Sequence, residues 1–103
     1  MKQFRQGDVL LVAIKNLPTN AVEKTAPADD VILAFGEVTG HAHRIKEREK
    51  VRVWDAGAER FLQVVERVAL THEEHATVWL DPGIYHLPAQ VEYTPAELRR
   101  VQD

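Results

Sequence analysis

Cysteine and serine are both absent from the 103 residues. Without cysteine there can be no disulfide, no thiolate nucleophile and no cysteine-type zinc or iron–sulfur centre. Without serine there is no Ser-His-Asp machinery. The five glycines are dispersed, so no glycine-rich phosphate loop can be drawn. Long apolar runs are missing as well: "VLLVAI" follows the polar "MKQFRQGD" and is far short of a membrane span or of a signal core with a cleavage site. The expectation is therefore a cytoplasmic protein with no membrane partner. A formal charge of -3 argues against a dedicated nucleic-acid binder, although a local basic patch can override that average.

What remains is an ordinary globular composition, 45% hydrophobic and 28% charged, at a length that suits one domain over 1–103. "GDVLLVAIK" (7–15) lacks helical spacing, is rich in β-branched residues and reads as a buried strand, followed by a Pro-containing loop. Residues 31–45, taken as one extended run, place Val31, Leu33, Phe35, Glu37, Thr39, His41, His43 and Ile45 on a single face. Its continuation, "RIKEREKVRV", predicts a hairpin with "EREK" at the tip. "RFLQVVERVAL" (60–70) puts Leu62, Val64, Val68 and Leu70 on one side, "TVWL" is a short strand, and "DPG" (81–83) suits a turn. In "IYHLPAQVEY" His86 falls on the face opposite Tyr85, and Pro88 predicts an edge strand. "TPAELRRVQD" carries a capping box and predicts a short C-terminal helix. The fold class is mostly β: a small single-domain barrel or sandwich of about six to eight short strands with that helix.

The chemistry has to come from histidine, aspartate and glutamate. Four of the five histidines form two tight pairs, His41/His43 and His72/His75. Residues i and i+2 of a strand point the same way, so His41 and His43 can reach one ion. His72 and His75, three apart in "HEEH", suit a tight loop or one helical turn and bring Glu73 and Glu74 with them. The i, i+4 spacing of the zinc-protease helix is not present. If the pairs meet, His41, His43, His72 and His75 with Glu37 as auxiliary make a site for a divalent transition metal (zinc, manganese, iron or nickel), and Glu74 is the candidate catalytic base. The competing reading is a metal-free interaction module that docks a protein partner, or a second copy of itself, through Trp54, Trp79 or an exposed strand edge. A weaker third uses Arg44, Lys46, Arg48, Lys50 and Arg52 on the hairpin 44–52 for nucleic acid.

Two resemblances bear on these readings. "HAHRIKE" matches the His-x-His-x3-Glu part of the first cupin motif, and "PGIYH" is similar to part of the second. That resemblance implies ligands at His41, His43, Glu47 and His86, whereas strand parity separates His86 from the others. Over nearly the whole chain, from Gln6 to Pro95, "QGDVLL", "GEVTGHAH", "HEEH" and "EYTP" resemble a group of small uncharacterised bacterial proteins. This second resemblance implies a single domain and carries no mechanism.

Overall fold

The computed structural model describes residues 2–24, 31–35 and 41–88, the side chain of Phe35 excepted. Ten strands lie in its sheets: β1 (Gln3–Gln6), β2 (Val9–Ile14), β3 (Val22–Glu23), β4 (Val31–Phe35), β5 (Ala42–Ile45), β6 (Val51–Ala56), β7 (Glu59–Val64), β8 (Val68–Leu70), β9 (Val78–Leu80) and β10 (Gly83–Leu87). A single 3₁₀ turn, Arg48–Lys50, is the helical element among the described residues. The expected C-terminal helix lies outside them.

Six strands form one antiparallel sheet in the order β1-β2-β10-β7-β6-β3, while β4-β5 and β8-β9 make two short pairs. The pairs are joined to one another at Arg44 and Thr71, whose backbone N–H groups each donate to the other's carbonyl at 2.9 Å. Among the described residues no sheet closes on itself, and the layered arrangement fits a sandwich. The core lies between the layers: Val9, Leu11, Leu62, Val64 and Tyr85 from the large sheet meet Val31, Ile45, Val68, Leu70 and Leu80 from the short pairs. Period-two alternation places these side chains inward, with more accessible neighbours such as Leu10, Gln63 and Trp79 between them.

Several sequence expectations change once strands have partners. Residues 31–45 are not one extended run, because β4 and β5 pair antiparallel with Val31 opposite Ile45. The register shifts between Ile32 and Ala34, a bulge that faces Arg44 and His43. The hairpin 44–52 does not form: β5 pairs with β4, and β6 takes β7 and β3 as neighbours. Its cations are spread over different elements, where Arg44, Lys50 and Arg52 face Glu73, Glu47 and Glu23 at 3.2–3.3 Å. The run 60–70 is two strands broken at 65–67, yet Leu62, Val64, Val68 and Leu70 all still reach the core. Strand β10 is interior, between β2 and β7, and not an edge. Pro88 sits just past its last residue, where a missing N–H costs no ladder bond.

The turn at Gly7 positions the rest. Gln6 pairs with Val9, so Gly7 and Asp8 alone connect β1 to β2, and Gly7 has φ of 56°. That left-handed conformation suits glycine and closes the tight turn directly after Gln6, which is buried at the end of β1. No helix among the described residues is long and apolar enough to cross a membrane.

Candidate functional site

The site starts from a buried glutamine. Gln6 is 2% exposed, and its amide Nε2 donates both hydrogens, to the Leu70 carbonyl at 2.8 Å and the Ala76 carbonyl at 2.9 Å. Those two bonds tie β1 to both ends of the segment 71–77 that carries "HEEH". They also fix which amide atom faces the other way: Oε1, an acceptor only, lies 2.9 Å from Nδ1 of His43. His43 must therefore donate from Nδ1, which leaves the lone pair on Nε2.

His43 is 4% exposed, on β5. Burial, then the neighbouring His72 and His75, hold its pKa below the ordinary 6.5, against the opposing pull of Asp8 and Glu73. A neutral imidazole with a free Nε2 is the form a metal ion or a proton donor requires.

The four candidate histidines come together through the ring of His72. Its centroid is 4.3 Å from that of His43, 4.6 Å from His75 and 5.8 Å from His41. His43 and His75 are stacked at 5.8 Å with 14° between their planes. Gly7 makes room for this stack: a Cβ there would lie 2.6 Å from Nε2 of His75 and 3.2 Å from Cε1 of His43.

The remaining contacts distinguish the rings. Nδ1 of His41 faces the Glu74 carboxylate at 3.6 Å, beyond hydrogen-bond distance, and has no hydrogen-bond partner. Nδ1 of His72 accepts the backbone N–H of Glu74 at 3.0 Å, so the neutral ring of His72 carries its proton on Nε2, the opposite tautomer to His43. Glu73 turns away from the rings. Its Oε1 accepts the Ala42 N–H at 2.9 Å and its Oε2 lies 3.3 Å from Arg44 Nη2. The Ala42 N–H first, with help from Arg44 and His41, lowers the pKa of this carboxyl below its usual 4.5.

As the rings stand, no three His, Asp or Glu side chains among the described residues form a group that could hold a metal ion. Glu37, the expected auxiliary ligand, lies outside the described residues. His86, the fourth ligand that the cupin resemblance implies, stacks on Phe61 at 5.0 Å and faces Glu59 at 4.0 Å, with no ring contact to the other four. A cleft of about 360 Å³, lined by Val9, Leu33, Leu87, Asp55 and Arg60 among others, touches none of the five histidines. Another, of about 200 Å³, is lined by Arg44, Lys46, Thr71, His72 and Glu73 and so bears directly on them.

Comparison with known proteins gives the chain a family. It belongs to a domain family of unknown function, DUF8820, whose model matches residues 5–90. The matched span includes Gln6, Gly7 and every histidine discussed above. No curated protein and no solved structure matches the chain.

Neither Gln6 nor Gly7 was among the residues singled out from sequence for chemistry. The available signal was the string "QGDVLL", in which a polar Gln stands directly before the glycine that opens the apolar strand.

Proposed function

We propose that this DUF8820 domain binds a divalent transition metal ion through imidazole nitrogens of His41, His43 and His75, with His72 joining after it gives up the Glu74 backbone hydrogen bond. The observation that carries the reading is the Gln6–His43 hydrogen bond. A buried acceptor holding Nδ1–H, with Nε2 left bare among other rings, is the outer-shell arrangement that orients metal-binding histidines. The Glu74 carboxylate on the Nδ1 side of His41 supports the same role for that ring. Zinc, manganese, iron(II) and nickel all accept imidazole, and closing the set requires the rings to turn from their present packing. An ion held by three imidazoles keeps a position open for water, and Glu74, whose carboxylate lies 3.6 Å from the His41 ring, is the candidate base.

Elemental analysis and calorimetric titration of untagged protein test this. One ion per chain is expected for the wild type, with loss of binding in His43→Ala/His75→Ala. A folded wild type that takes up none of the four metals, or an unchanged stoichiometry in the double variant, would sink the reading.

A second reading, a protein-docking module, draws on Trp79, which is 50% exposed on β9 beneath the Arg67 guanidinium at 4.8 Å. Trp54, in contrast, is on β6 and donates to Gln63 at 3.0 Å, so the surface would be built on Trp79 alone. Trp79→Ala should abolish partner capture under that reading and leave metal content untouched.

A further inference from the structure

We propose that the cleft beside His72 seats a small anionic group of a substrate, a carboxylate or a phosphate, on Arg44 and Lys46. The proposal rests on the metal-binding reading for what happens next to the anion, but not for the seat itself.

The walls of this cleft are fastened together before any ligand arrives. Arg44 of β5 and Thr71 after β8 exchange two backbone hydrogen bonds of 2.9 Å, and the Thr71 hydroxyl donates a third, to the Arg44 carbonyl at 3.2 Å. Arg44 and Lys46 stand two residues apart, the spacing that sends side chains to the same side of an extended chain, and both line the cleft. Ile45, between them, turns inward and is fully buried in the core.

The charges favour an anion. Among the described residues that line the cleft, two cations face one carboxylate, Glu73, and both oxygens of that carboxylate are already engaged, by the Ala42 N–H and by Arg44. Glu73 therefore accepts from one nitrogen of the Arg44 guanidinium and has no oxygen left for Lys46. Lys46 pairs with no carboxylate among the described residues, so its ammonium is the group that gains a partner when an anion enters. A volume of about 200 Å³ takes one such group with a few carbons attached. It does not take a polymer backbone, and Lys50 and Arg52 do not extend the patch because they face Glu47 and Glu23.

His72 is the shared wall. It lines the cleft, and its ring lies 4.3 Å from that of His43. An anion seated on Arg44 and Lys46 would hold the atoms attached to it against the histidines. Remote charge binding of this kind positions a reacting group without taking part in its chemistry.

The test uses metal-free full-length protein, with backbone amide shifts followed by NMR during titration with inorganic phosphate and, separately, acetate, at constant ionic strength. Saturable shifts confined to Arg44, Lys46, Thr71, His72 and Glu73 are expected. Which of the two anions saturates at lower concentration identifies the headgroup. Lys46→Gln, at an exposed position that should leave the fold intact, is expected to weaken the binding by about tenfold, the worth of one charge-assisted hydrogen bond. Shifts that never saturate, or that are the same in Lys46→Gln, overturn the proposal. Metal titration of the same variant separates the two ideas: unchanged metal uptake with lost phosphate binding is expected, and phosphate binding without metal uptake by the wild type overturns only the metal reading.

Discussion

The two layers of the sandwich are held by different chemistry. The large sheet is an antiparallel ladder whose inner face is mostly aliphatic, and its buried members Val9, Leu11, Leu62 and Val64 need nothing beyond burial to stay in place. The opposing layer is two short strand pairs, and between them and β1 lies the one pair of buried polar side chains among the described residues, Gln6 and His43. There, directional bonds do what area does elsewhere: a single amide side chain satisfies two carbonyls and one imidazole. A layer held this way is specific in geometry and sensitive to the loss of any one partner, which suits the side of the protein that presents histidines.

The largest effect should come from the aliphatic layer. Leu62 is fully buried, and Leu62→Ala is expected to cost about 2–5 kcal/mol, read as a lower urea midpoint with every property of both layers lost together. A loss well under 1 kcal/mol would mean that the large sheet is not the chief source of stability.

A smaller but more selective effect is expected from Gln6→Ala. It strips partners from the Leu70 and Ala76 carbonyls and from His43 Nδ1, at a cost of about 1–3 kcal/mol. Its signature distinguishes it from a simple packing defect: the His43 ring should lose the Nδ1–H tautomer, visible in imidazole nitrogen shifts, while the amide shifts of β6 and β7 stay in place. A variant that destabilises β6 and β7 equally would erase the contrast between the layers.

The smallest effect is a dependence on pH. Because the folded pKa of His43 is lowered, the unfolded chain takes up this proton first as pH falls below 6.5. Its contribution is therefore complete above 6.5 and is lost as pH drops from there toward the folded value. Glu73, also lowered, contributes fully above 4.5 and loses its share as pH falls from there through its folded pKa, further into acid. Stability measured against pH should decline in that order, and His43→Gln, which keeps an N–H donor for Gln6, should flatten the first decline alone. A profile with no slope just below 6.5 in the wild type would remove the electrostatic argument for a neutral His43.

The short pairs also mark where sequence reading and structure part. Inward parity was legible wherever a strand alternates, and the break that "DPG" (81–83) puts between β9 and β10 was legible from its proline and glycine. Pairing was not. The alternation of 31–45 suggested one continuous face, and only the antiparallel register of Val31 with Ile45 shows that the chain doubles back. The cations of 44–52 looked like one stripe because spacing says nothing about which neighbour a strand chooses.

By itself, then, the sequence determined the β class, the inward aliphatic positions and the histidines as the residues to watch, because side-chain alternation and the absence of thiol and serine chemistry are local properties of a chain. The meeting of "GHAH" with "HEEH", the assignment of Gln6 as the acceptor for His43 and the room that Gly7 leaves for two rings were decided only by tertiary structure. Those contacts join positions far apart in the chain, 37 residues for Gln6 and His43, and a pattern that repeats every two residues carries no information about what lies across the core.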